Sequence, residues 1–131
     1  MFATILELEL KRNLHAPAIA RAAVIGHCDD FDLTPSGCHT LVLLVSELVS
    51  NAVLHSSGPA AAPILLTAGM VKDAVQVTGT DAGEGFAPHP CRPGTARGGY
   101  GLYLVDKSAR TWGVDRVTGG TRVWFELPRT A

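Results

Sequence analysis

Charge is scarce in this chain. Eleven Lys and Arg against 12 Asp and Glu, in 131 residues, leave a formal net charge of −1. That excludes electrostatic capture of nucleic acid or of an anionic membrane surface as a main activity. Cysteine is also sparse, and the three present, Cys28, Cys38 and Cys91, form no C-x-x-C pair. An odd count without that spacing is expected to be reduced thiols, not a disulfide framework. His27-Cys28 and Cys38-His39 could together offer four zinc ligands, but they lack the usual two-residue turn between ligands. No apolar run approaches the roughly 20 residues that span a bilayer. The opening "MFATILELELKRN" carries charge inside its apolar stretch, unlike a signal peptide. The cytosol is the expected compartment. The phosphate-cradling pattern G-x-x-x-x-G-K-[ST] is absent, and "GYGLYL" lacks the third glycine of a dinucleotide fold and follows a loop instead of a strand.

What the chain does have is apolar residues. At 47% hydrophobic and 18% charged, 131 residues suffice for one domain with a proper core and are too few for two ordinary ones. "TILELEL", 4–10, alternates Leu6, Leu8 and Leu10 against Glu7 and Glu9, the period of a half-buried strand. "PAIARAAVIGHC", 17–28, reads as a helix opened by Pro17, with Ile19, Ala22, Ala23 and Gly26 on one face. Thr34-Pro35 offers an N-cap and a first-turn proline to a second helix running to about His55. "APILLTAGM", 62–70, and "DAVQVTGT", 73–80, read as strands joined in a hairpin at Lys72-Asp73. A third helix is expected over 101–113, from Leu102, Val105, Ala109 and Trp112. A second hairpin follows, turning at Gly119-Gly120, with Val123 and Phe125 alternating against Arg122, Trp124 and Glu126. The order β-α-α-β-β-α-β-β does not alternate strictly, which argues for an α+β sandwich with helices on one face of a mixed sheet. The segment 86–99, "FAPHPCRPGTARGG", is rich in proline and glycine and reads as an inserted loop of lid length.

Three constellations carry chemistry. In "SELVSNAVLHS", 46–56, a helical wheel at about 100° per residue puts Leu41, Leu44, Val45, Leu48 and Ala52 on one face. Glu47 and Asn51 form a narrow strip at its edge, with His55 further round and Leu43 and Leu54 on the far side. A solvated polar face is the ordinary account of such residues. The enclosure by leucines favours a cleft, where a carboxylate and an amide oxygen suit Mg²⁺ and its waters. In "TDAGEGF", Asp81 ends a strand; a plain turn is the ordinary account, and the alternative is a carboxylate that accepts a hydrogen bond from an exocyclic amine. In "GGYGLYLV", 98–105, a glycine-rich segment opening a helix reads either as a flexible loop or as an anion site made by the helix's free N–H groups.

E-x-x-x-N-A on a helix, D-x-G-x-G after a strand and G-x-G-L opening the next helix resemble, in that order, the GHKL ATPase superfamily of histidine-kinase catalytic domains and gyrase B. "SELVSNAVLHS", the short proline-rich lid, "GLYLVDKSARTWGV" and the aromatic-bearing last strand are most similar to its standalone branch, the anti-sigma factor serine/threonine kinases and related actinobacterial regulators. The resemblance covers nearly the whole chain as one ATP-binding domain, 1–131, with its lid at about 86–99. It implies the Bergerat fold: an α+β two-layer sandwich of one mixed, mostly antiparallel sheet with three helices on one face. It implies ATP and Mg²⁺ as cofactors, with Asn51 on the metal and Glu47 as the catalytic base toward the attacking hydroxyl or water. Asp81 would read the adenine amino group in a pocket shaped by Gly83 and Gly85. Gly99 and Gly101 would cradle the phosphates, Leu102 would join the cofactor-binding residues, and Thr121 would support the adenine site through water. Arg92 and Arg97 are candidates for the γ-phosphate by charge alone.

The implied activity is phosphate transfer from ATP to an anti-sigma antagonist protein, with a sigma factor sequestered on another surface. The family's habit implies a homodimer, and neither nucleic acid nor membrane is an expected partner. The rivals are a module that binds ATP, or only protein, without catalysis, and a slow ATPase. Gly79 and Thr80 depart from the pattern, standing where a more regular apolar strand is expected.

Overall fold

The computed structural model describes residues 3–55, 62–82, 100–118 and 120–129. Five strands and three helices occur in the order β1 (Ala3–Leu10), α1 (Ala16–Gly26), α2 (Pro35–His55), β2 (Ile64–Val71), β3 (Ala74–Ala82), α3 (Tyr100–Ser108), β4 (Thr111–Val117) and β5 (Gly120–Pro128). They build the expected α+β two-layer sandwich. The sheet order is β1-β2-β3-β5-β4, and every adjacent pair is antiparallel, so no parallel pairing remains of the mixed sheet expected from the sequence.

Period-two patterning decides which face is covered. Leu6 and Leu10 of β1, Ile64, Leu66 and Ala68 of β2, Val75 and Val77 of β3, and Val123, Phe125 and Leu127 of β5 are buried under the helices. Across the sheet, the other face runs in register as Glu7, Thr67, Thr78, Trp124, Gly113. The indole of Trp124 lies so close over Gly113 that a Cβ there would sit 2.9 Å from the ring. At the β2–β3 turn, Arg110 bridges Asp73 and Glu126, both at 2.9 Å. The guanidinium's hydrogen bond holds the Asp73 carboxyl below its ordinary value.

α2 passes by length and composition for a membrane-crossing helix, contrary to the expectation that no run would. Here its apolar face is spent on the core instead: Leu41, Leu44, Val45, Leu48 and Val49 are all buried against the sheet and the other helices. Its start is capped as expected, with the Gly37 amide donating to Thr34 Oγ1 at 3.0 Å.

Three further expectations need correction. α1 buries Ala16, Ala20 and Val24, and it leaves Ile19 and Ile25 exposed. The helix is apolar nearly all round, so the sequence left its phase open, and alanines face inward where α1 packs against α2. α3 ends at Ser108 instead of continuing to residue 113. The Ala109 amide closes its last turn on Val105, and the next amide, of Arg110, already bonds Glu126 of β5. Trp112 therefore lies in β4, donating from Nε1 to Asp106 Oδ1 at 2.8 Å. Finally, Cys28 and Cys38 are joined in a disulfide. The turn from α1 into α2 brings their Cα atoms to 5.9 Å, inside the span a disulfide bridges. With those sulfurs bonded to each other the zinc arrangement falls away, and no metal-capable cluster occurs among the described residues.

Candidate nucleotide site

Burial of polar groups is costly unless something meets them. Among the described residues, three polar or charged side chains are buried: Asn51 at 5% exposure, Asp81 at 4% and Thr121 fully. All three belong to the set singled out from the sequence. Glu47, one turn before Asn51 on α2, is half-buried.

Each is positioned by its element. Asn51 sits at the edge of the apolar stripe of α2, following Leu44 and Leu48 toward the sheet. Asp81 occupies the penultimate position of β3, on the same face as Val75, Val77 and Gly79. Thr121 is the second residue of β5 and pairs directly with Asp81 across the ladder. Its Oγ1 is buried without a hydrogen-bond partner among the described residues. α2 meets β3 where Leu48 presses on Gly79. Asn51 is three residues from that contact along the helix and Asp81 two along the strand, about 4.5 Å and 6.7 Å of axial rise.

Gly83, Gly85 and Gly99 lie outside the described residues, as do Arg92, Arg97 and the whole of the expected lid, 86–99. Gly101 and Leu102 fall in the first turn of α3, where the sequence placed a helix N-terminus. His55 closes α2. A groove of about 530 Å³, lined among others by Leu65, Thr78, Arg122 and Trp124, opens on the face of the sheet away from the helices and includes none of the expected site residues.

A buried carboxylate, a buried hydroxyl with no hydrogen-bond partner among the described residues and a buried carboxamide beside a half-buried carboxylate are costly in a dry core and are groups that could meet a polar ligand. The donor set suits the expected cofactors. Asp81 accepts only, as an amino group requires, and the Asn51 amide oxygen is a hard ligand of the kind Mg²⁺ takes.

Fold and site together define a GHKL-type ATPase domain. The chain belongs to the histidine kinase-like ATPase domain family, whose pattern it matches over residues 10–127. Its fold is similar to the crystal structure of the RsbU and RsbW domains of Rv1364c from Mycobacterium tuberculosis. That likeness has a TM-score of 0.73 and 19% identity over 94% of this chain, which spans 32% of that one. It is also similar to the histidine kinase domain of the blue-light activated histidine kinase EL346 from Erythrobacter litoralis. There the TM-score is 0.56 with 27% identity, over 71% of this chain and 48% of that one. No curated protein matches the chain.

In the sequence Gly79 stands out only as a departure from pattern. The signal was the break it makes in the alternation Val75, Val77, Asp81, and the contact with Leu48 supplies its cause.

Proposed function

We propose that this chain is an ATP-binding regulatory domain that works as an anti-sigma-factor-type serine/threonine kinase. It would transfer the γ-phosphoryl group of ATP to a hydroxyl of a small antagonist protein and hold a sigma factor through a separate surface. The observation that carries the reading is that the three buried polar side chains among the described residues are Asn51, Asp81 and Thr121. Family membership and the likeness to a structure containing an RsbW domain support it.

The roles follow from the chemistry of each group. Asp81 and Thr121 bind the adenine end, the first by accepting from the amino group. Asn51 holds Mg²⁺, which supplies charge neutralisation on the phosphates when bound. Glu47 accepts the proton of the attacking hydroxyl as its oxygen bonds to phosphorus and the bond to the ADP oxygen breaks. Phosphoryl transfer asks mainly for positioning and electrostatic stabilisation, which this small set provides.

The test is to measure Mg-ATP affinity and transfer of γ-labelled phosphate to candidate antagonist proteins in parallel. Glu47→Ala should bind nearly as the parent does and lose about 10²–10⁴-fold in transfer, the share of a positioned general base. Asn51→Ala should lose both. Transfer by Glu47→Ala at the parental rate removes it as the base. A parent that binds ATP and a sigma factor but phosphorylates no antagonist establishes the non-catalytic module instead.

A further inference from the structure

Gly79 is an odd residue for its place. It lies in the middle strand of the five, paired with Leu66 on one side and Val123 on the other. A glycine inside a strand weakens it and commonly marks a close approach of another part of the chain. Here that part is Leu48: a Cβ on Gly79 would stand 2.3 Å from Leu48 Cδ2 and 3.6 Å from its Cγ. The missing side chain is a notch, and α2 drops a leucine into it.

The notch is seated among the site residues. Glu47 adjoins Leu48, and Asn51 is one turn beyond it. On the strand, Asp81 is the next residue after Gly79 on the covered face. The depth at which Leu48 seats therefore sets how far the phosphate-side groups of α2 stand from the base-side carboxylate of β3. We infer that Gly79 is a positioning residue whose missing side chain fixes the span between the two ends of the nucleotide site. The inference rests on the nucleotide reading proposed above.

A span has a signature that core packing lacks. Mg-ATP must reach both ends of the site, whereas adenosine engages only the base end. Gly79→Ala fills the notch and lifts α2, so the ratio of Mg-ATP to adenosine affinity should fall about tenfold or more, since a misplacement near 1 Å can cost 10²-fold. Adenosine affinity itself should change little. Leu48→Phe enlarges the knob instead of filling the notch, and it must lower the same ratio, which keeps the test open if one variant folds poorly. Leu48→Val removes about the volume that Gly79→Ala adds, so the double variant should recover the parental ratio. Both affinities are read by calorimetry below the melting temperature of each variant. Parental ratios in Gly79→Ala and Leu48→Phe, or a lowered ratio that Leu48→Val does not restore, overturn the inference and leave the nucleotide reading standing. A parent that binds neither adenosine nor Mg-ATP overturns both.

Discussion

Asp81 on β3 and Thr121 on β5 stand directly opposite one another in the antiparallel ladder, and both are buried on the face the helices cover. They are forty residues apart in sequence and come from strands that are not consecutive along the chain. The pair places an acceptor-only carboxylate beside a hydroxyl at one end of the central strands, where a flat, amino-bearing ring can be held.

Base choice follows from that pair. Asp81→Asn exchanges a charged acceptor for a carboxamide and should weaken ATP binding by about 1.5–3 kcal/mol, the worth of a hydrogen bond to a charged group. GTP, which presents a carbonyl oxygen where adenine has its amino group, should bind the parent much more weakly than ATP. Calorimetry showing unchanged ATP affinity in the variant, or equal affinity for the two nucleotides in the parent, would sink the assignment.

Thr121 separates a ligand-facing role from a structural one. Its hydroxyl oxygen is buried with no hydrogen-bond partner among the described residues. Thr121→Val keeps the shape and removes the unmet polar group, so the free protein should be as stable as the parent or more so, by up to about 1 kcal/mol. ATP affinity should nevertheless fall. Urea unfolding and nucleotide titration on the same variant decide it, and a destabilised protein that binds ATP normally would make Thr121 a scaffold residue.

The Cys28–Cys38 bond ties the end of α1 to the first turn of α2 across a sequence separation of 10. Closing so short a loop stabilises by about 2.5–3 kcal/mol in the chain-entropy account, which for a domain of this size lowers the melting temperature by roughly 8–15 °C when the link is cut. Thermal melts with and without dithiothreitol, alongside Cys28→Ser/Cys38→Ser, should show that loss in the reduced protein and an already lowered, reductant-insensitive value in the variant. Identical melts for oxidised, reduced and variant protein would return the cysteines to the free thiols their count implies.

Local chemistry made much of this protein legible from the sequence alone. Leu6, Leu8 and Leu10 against two glutamates specify a strand and its covered face without help from elsewhere. Thr34-Pro35 specifies a helix start, and the Gly37 amide duly meets the threonine oxygen. Glu47 and Asn51 stand out in the sequence as a carboxylate and an amide among leucines and valines, and Asp81 as a carboxylate that ends a strand before glycines; Asn51 and Asp81 are buried and Glu47 half-buried. Tertiary structure alone decided the rest. α1 is apolar on nearly every side, so its phase was set by packing, which buried Ala16, Ala20 and Val24. The helical spacing of Val105, Ala109 and Trp112 ran on past the true end of α3, because the competing partner for Arg110 was a carbonyl on β5. The disulfide depended on a turn that brings two helix ends together. The placing of β5 between β3 and β4 set Thr121 against Asp81, and the seating of Leu48 in Gly79 joined α2 to that strand. Such pairings are made between residues far apart in the chain, and their energy comes from packing that no local pattern encodes.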